Sequence, residues 1–358
     1  MKVIVVGAGI LGAVTAWNLA AAGVAVTIIE AGQPAGGASG ASFGWINASF
    51  YSDEDHFRLR AASIGAHHRL AEALGSRAVQ WQGCLCWEEQ GEAFDAQRDA
   101  LRALGYAVRE LDARAFAAFE PSVRPPERAL LFADEGAVDL AVLTQDALNA
   151  ACSLGARIIA GVPVTALAQT NGRITGVEWA GGTIEADRVV LATGTATPRL
   201  LASVDVPLKM PDRPGLIMRT TPQPPLLSHI LVSPGQELRQ QPDGRLLAPT
   251  AASHQGDNST DVRELPSDLA QRAANRVGAL IGQKVDWQDV TLAWRPVPED
   301  GLPVIGRCGP EGLYVTTMHS GATLAPLVGE LAAAEVMDRP LGNGDAALLA
   351  PYRPQRFR

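Results

Sequence analysis

Three glycines near the start of the chain, in Gly7-Ala8-Gly9-Ile10-Leu11-Gly12, restrict the fold more than any other feature. They follow a β-branched run from Lys2 to Val6 and open a stretch at helical spacing from Ile10 to Ala22. A second β-branched run, Val24 to Ile29, comes next. Strand, tight turn, helix and strand make a βαβ unit, the context in which this glycine spacing acquires a mechanism. Gly7 permits the turn, Gly9 lets backbone approach a pyrophosphate, and Gly12 lets the helix lie close to the strand. Phosphate then meets the positive helix N-terminus at Ile10 and Leu11. Glu30, followed by Ala31, ends the second strand, where its carboxylate can accept hydrogen bonds from ribose hydroxyls and would repel the extra phosphate of NADP. The bland alternative is a turn that merely packs tightly. FAD and NAD both use this unit, so the fingerprint leaves the choice between them open.

At 358 residues the chain has room for two intimate domains, and with 47% hydrophobic residues it can bury a substantial core. A formal net charge of -8 opposes binding to phosphate backbones, and no cluster of Lys and Arg interleaves with aromatics, so nucleic acid is not an expected partner. The four cysteines, Cys84, Cys86, Cys152 and Cys308, have neither the density of a disulfide scaffold nor the paired spacing of a zinc site. No metal is expected, and a reducing cytoplasm suits these thiols. Cys84 and Cys86 lie two apart on a strand and share a face, which favours buried small hydrophobes over a redox pair. The apolar opening segment imitates a signal peptide, but Gly7, Gly9, Gly12 and Asn18 interrupt it, so it is expected to be core structure. No other apolar run is long enough to suggest a transmembrane segment.

Further along, the Gly- and Ser-rich stretch from Gly32 to Gly44 predicts a loop, and Asp55 to Leu74 a helix. Leu143 to Leu154 reads as a helix, Arg157 to Ile159 and Val164 to Leu167 as strands. Asn171-Gly172 predicts a hairpin turn before Ile174 to Trp179, which Thr183 to Ala186 extends. Val189 to Ala192 re-enters the first sheet. Frequent prolines between Pro207 and Pro249 predict an antiparallel sheet with proline at its edges, including Gly215 to Thr220. A helix from Pro266 to Ile281, with Ser267 as its N-cap, a strand from Gly312 to Thr317 and a helix from Leu324 to Met337 complete the pattern.

Several segments, taken in order, resemble the D-amino acid oxidase superfamily, which includes glycine oxidase, sarcosine oxidase and D-amino acid dehydrogenases. They are Gly36-Gly37-Ala38-Ser39-Gly40-Ala41-Ser42, Val189-Val190-Leu191-Ala192-Thr193-Gly194, Trp294-Arg295-Pro296 and Asp300-Gly301-Leu302-Pro303-Val304-Ile305-Gly306. The resemblance spans nearly the whole chain and implies FAD. The implied fold is α/β: a Rossmann-type FAD-binding domain from 1–50, 137–200 and 296–345, with an interleaved α+β substrate domain from 51–136 and 201–295 built on a mainly antiparallel sheet. Ser39, Ala41, Ser42 and Trp45 would run beside the pyrophosphate and flavin, Val164 would offer backbone to the adenine, and Thr193 and Gly194 would mark the strand end near the ribose. Gly321, Ala322, Thr323 and Leu324 start the last helix, whose free N–H groups would face the flavin pyrimidine edge.

The resemblance further implies that Arg295 grips a substrate carboxylate through its planar fork. His319 stands where glycine oxidases carry another arginine, and it is expected either to assist proton transfer or to pack. Leu292 occupies the region where sarcosine oxidases tether flavin through cysteine, so the FAD is expected to be non-covalent. Trp45, Phe50, Tyr51 and Trp294 are candidate walls of an apolar pocket. The implied reaction is oxidation of the C–N bond of a small amino or imino acid, with hydride passing from the α carbon to flavin N5. Oxygen, or a quinone or carrier, would be the electron acceptor. An NAD-dependent dehydrogenase and a flavin-bearing subunit of a larger complex are the competing readings, and a homo- or hetero-oligomer is compatible with each.

Overall fold

The computed structural model describes residues 1–252 and 258–357. The Lys2–Val6 strand is buried along Val3 to Val6, and its alternating side chains feed two different cores. Burial on both faces is what a near-continuous run of Val and Ile demands in a parallel sheet. This strand sits inside a six-stranded sheet ordered Val304–Arg307, Leu313–Thr317, Arg188–Leu191, Lys2–Val6, Ala25–Glu30, Arg157–Ala160. All neighbours are parallel except the Val304–Arg307 edge, which pairs antiparallel with Leu313–Thr317.

On one face the Ile10–Ala21 helix packs against the helices Leu140–Ser153 and Gly321–Val336. A Cβ on Gly329 would stand 2.7 Å from Val14 Cγ1, so the last helix approaches the first only because that position has no side chain. The other face carries the antiparallel hairpin Val164–Thr170 and Arg173–Trp179, extended by Gly182–Glu185. Its turn is at Asn171 and Gly172, both at positive φ, in line with the turn predicted there.

A second large sheet has eight strands, ordered Trp287–Trp294, Pro214–Thr220, Leu246–Pro249, Gln236–Gln240, Ile230–Ser233, Cys84–Cys86, Arg128–Phe132, Arg109–Asp112. Every pair is antiparallel except Ile230–Ser233 with Cys84–Cys86. One face, with Ile217, Val232, Leu247 and Phe132, joins the core that also contains the first helix. The Pro266–Ile281 helix covers the other face through Ala270, Ala273, Ala274, Val277 and Ile281, the stripe expected for a period of 3.6. A short sheet of Trp45–Ile46, Gly136–Val138 and Val79–Gln80 lies beside them.

Several predicted boundaries move: the helix predicted from Leu143 starts at Leu140, behind the Asp139 cap, and the Val164 strand runs on to Thr170. Ser267 is not the N-cap of its helix. Leu265 holds that position without a side-chain cap and Pro266 is the first helical residue, where its missing N–H and fixed φ do no harm. The last long helix starts at Gly321 rather than Leu324, because Ser320, at φ 59°, sets the turn that launches it. Cys84 and Cys86 are free and buried on the same face of their strand. Burial pushes the Cys86 thiol up to about 12 and Cys84 well above its usual value, so both stay protonated and inert. Among the described residues, no helix is long and apolar enough to cross a membrane.

Candidate active site

Two of the three fingerprint glycines, Gly7 and Gly12, are required by backbone proximity. A Cβ on Gly7, at φ 102°, would lie 2.3 Å from the Ala192 carbonyl oxygen, and one on Gly12 would lie 1.9 Å from the carbonyl of Gly7. At Gly9 the nearest atom to an added Cβ is Ser39 Oγ at 3.1 Å, with no other non-neighbouring atom within 4 Å, so the space before this peptide is open. Ser39 Oγ accepts the N–H of Ile10 at 3.0 Å, tying the glycine-rich loop to the helix start. The Glu30 carboxylate accepts the N–H groups of Ala8 and Gly32, each at 2.8 Å, and so braces the turn from the strand end.

These groups line one end of a cavity of about 430 Å³ whose far end is built by other parts of the chain. Gly7, Gly9, Ile10, Leu11, Glu30, Ser39, Ala41, Ser42, Trp45, Thr193, Gly194, Arg295, His319, Gly321, Ala322 and Thr323 all line it. Four predicted residues do not. Gly12 lies beneath the turn, Ala31 and Leu324 adjoin lining residues, and the Val164 carbonyl accepts from Arg199 Nη2 at 3.2 Å. Of the four proposed aromatic walls, Trp45 and Trp294 face the cavity. Tyr51 instead packs edge-on against Phe57, and Phe50 is exposed. Glycine-backed amides at a helix start, an acidic strand end and a long cleft fit an extended dinucleotide.

At the far end, Arg295 follows the Trp287–Trp294 strand, and its N–H donates to the Arg213 carbonyl at 2.7 Å. A Cβ on Gly215 would come within 3.3 Å of Arg295 Cδ, so this glycine leaves room for the arginine stem. His319 is half-buried, with Nδ1 3.3 Å from Ser320 Oγ. In the last helix the amides of Gly321 and Ala322 occupy the first turn, where no intrahelical acceptor exists.

Asn47 and Arg60 are among the lining residues outside the set predicted from sequence. Arg60 is 2% exposed and belongs to the Glu54–Leu74 helix, capped by Asp53. It donates from Nε to the Asn47 carbonyl at 3.0 Å, from Nη2 to Asn47 Oδ1, and from Nη1 to Ser320 Oγ at 2.8 Å. Its sequence signal is faint but physical: His56, Arg60, Ser63 and His67 fall four, three and four apart, a polar stripe on a buried helix face. His67 Nε2 donates to the Ala322 carbonyl at 2.8 Å, and burial lowers both His56 and His67 to about 4.

Behind this wall the buried Glu135 carboxylate accepts from Trp45 Nε1, the Tyr106 hydroxyl and the amides of Ala48 and Ser49. Burial pushes its carboxyl above the usual range, against the opposing pull of those donors. Among the described lining residues Glu30 is the sole carboxylate, and it sits at the fingerprint end. The other ionised lining residues, Arg60 and Arg295, are cationic.

Comparison with known proteins agrees with this arrangement. A family model described as FAD dependent oxidoreductase (DAO) matches residues 2–335. The chain is 27% identical to glycine oxidase of Pseudomonas aeruginosa, over 99% of this chain and 98% of that protein. It is 28% identical to D-amino acid dehydrogenase of Cereibacter sphaeroides, over 91% of this chain and 89% of that protein. The crystal structure of glycine oxidase from Geobacillus kaustophilus superposes with a TM-score of 0.88 at 26% identity, covering 99% of both chains. With the glycine turn, the acidic strand end and the long cleft in place, the chain belongs to the DAO family and is an FAD-dependent oxidoreductase.

Proposed function

We propose that this enzyme oxidises the C–N bond of a small amino or imino acid, with Arg295 as the carboxylate anchor. The observation that carries this reading is one cavity lined by the dinucleotide turn, by Arg295 and by His319. The relatives named for glycine oxidation and D-amino acid dehydrogenation support the same substrate class. FAD, when bound, supplies a two-electron acceptor that takes a hydride from the substrate α carbon. Arg295 binds the carboxylate through paired N–H donors and so fixes which hydrogen faces the flavin. His319 lines the same cavity and is a candidate to assist proton transfer from the amine. The imine product then hydrolyses in water, or stays cyclic when the substrate is a proline.

On this reading Gly7, Gly9, Ile10, Leu11, Gly12, Glu30 and Ala31 hold the adenosine and pyrophosphate, with Val164, Thr193 and Gly194 nearby. Ser39, Ala41, Ser42 and Trp45 flank the flavin, and Gly321, Ala322, Thr323 and Leu324 present the helix N-terminus to its pyrimidine edge. The FAD-binding part is drawn from 1–50, 137–200 and 296–345, and the substrate part from 51–136 and 201–295. On this reading FAD is held without a covalent bond, with Leu292 lining the cavity in the region where sarcosine oxidases tether flavin through cysteine. The test is anaerobic addition of glycine, sarcosine, D-amino acids, and D- and L-proline or hydroxyproline, one at a time. Loss of flavin absorbance with at least one of them is expected, and a flavin that none of them bleaches would refute the substrate class.

A further inference from the structure

Arg60 is a buried cation whose hydrogen bonds, from all three guanidinium nitrogens, end on the neutral oxygens of Asn47 and Ser320. Among the described residues it forms no salt bridge. Glu135, the acid that acts on it through space, already receives Trp45, Tyr106, Ala48 and Ser49. Burial lowers Arg60 to about 10, which still leaves it charged at neutral pH. A buried cation that no carboxylate touches directly costs several kcal/mol to desolvate, and an anion that arrives or develops in the cavity would offset part of that cost. Arg60 lines a cavity whose only described carboxylate is Glu30, and its Nη1 grips the residue immediately before the Gly321–Val336 helix. Two sources of positive potential, a guanidinium and a helix N-terminus, therefore face one volume.

We propose that Arg60 is a positioning residue and fixed countercharge. It clamps Asn47 and Ser320 so that the last helix starts at the cavity, and with that helix it stabilises negative charge on the pyrimidine edge of bound flavin. The inference rests on the reading that this helix N-terminus faces the flavin. It adds a residue from another helix, 260 positions away from Ser320 in sequence, whose charge sets the electron affinity of the site.

The test uses the FAD-loaded enzyme and its variants Arg60→Gln, Arg60→Lys and Asn47→Asp. The last places a carboxylate against Arg60 with little change of shape. Sulfite, whose addition leaves negative charge on flavin, is titrated by absorbance, and the two-electron midpoint potential is measured by dye equilibration. Arg60→Gln and Asn47→Asp should each weaken sulfite binding and the reduction equilibrium about tenfold, a potential about 30 mV more negative. Arg60→Lys should stay near wild type. A merely structural role would lower FAD content or thermal stability and leave the potential of loaded enzyme unchanged. That outcome overturns the proposal, and if Arg60→Gln does not fold, unchanged values in Asn47→Asp overturn it alone. Wild-type flavin that takes up no sulfite would instead count against the helix-to-flavin reading itself.

Discussion

The Glu135 carboxylate accepts the Trp45 indole N–H at 2.9 Å across 90 residues of sequence, with both side chains buried. The other carboxylate oxygen takes the Ala48 and Ser49 amides and the Tyr106 hydroxyl, so one side chain fastens the segment that walls the cavity. Glu135→Ala should lower the unfolding free energy by at least about 3 kcal/mol, since each orphaned buried donor costs roughly 1–3 kcal/mol. Glu135→Gln, which can keep one oxygen in place, should fall between this variant and wild type. Urea unfolding curves give the order, and equal stabilities for all three would remove the staple from this account.

His67 is neutral in the folded protein. Its Nε2 donates to the Ala322 carbonyl, while buried Nδ1 has no partner for a proton. With a folded value of about 4 against 6.5 unfolded, the unfolded chain binds a proton that the fold refuses below pH 6.5. Stability from this group is complete above that pH and is lost as pH falls towards 4, by about 3 kcal/mol at 1.36 kcal/mol per unit. His56 has the same sign and a similar size. Unfolding free energy measured from pH 7 to 4.5 should fall steeply, and His67→Gln should flatten part of that slope.

Gly12→Ala forces a methyl group to within 1.9 Å of the Gly7 carbonyl, a contact that no side-chain rotation relieves. The first helix must move away from the strand, spoiling the phosphate turn. Purified Gly12→Ala should carry less than about a tenth of the wild-type FAD and lose at least 2 kcal/mol of stability, by analogy with other overpacked positions. Full flavin occupancy in this variant would contradict the turn geometry.

Arg295→Met keeps much of the stem that covers Gly215 and deletes the fork. Loss of a charge-assisted carboxylate contact costs about 2–5 kcal/mol, so kcat/KM for the amino acid that reduces the flavin should drop roughly 30-fold to several thousandfold. Wild-type kcat/KM would discard Arg295 as the anchor.

The elements that were legible in sequence are those whose signal is local. Val3 to Val6, the Gly7 turn and the Asn171-Gly172 hairpin announce themselves through side-chain period and backbone freedom. Strands such as Arg109–Asp112 and Arg128–Phe132 give weaker patterns, since their place in the eight-stranded sheet depends on pairing with distant segments. Ser267 misled because a good capping residue stands beside a proline that starts the helix without one. Periodicity alone places the last helix start at Leu324, while the small residues from Gly321 point to the earlier start that Ser320, in a left-handed conformation and bonded to Arg60, sets.

The sequence by itself determined that the chain begins with a nucleotide-binding βαβ unit and that the acidic Glu30 ends its second strand. Short-range sterics and hydrogen-bonding chemistry suffice for those conclusions. The tertiary structure alone decided that Asn47, Arg60 and Ser320 meet at one wall, that Glu135 fastens Trp45, and that the Val164 carbonyl is engaged by Arg199. Those contacts join residues 13 to 260 positions apart, and desolvation makes them strong only after the fold has removed water from around them.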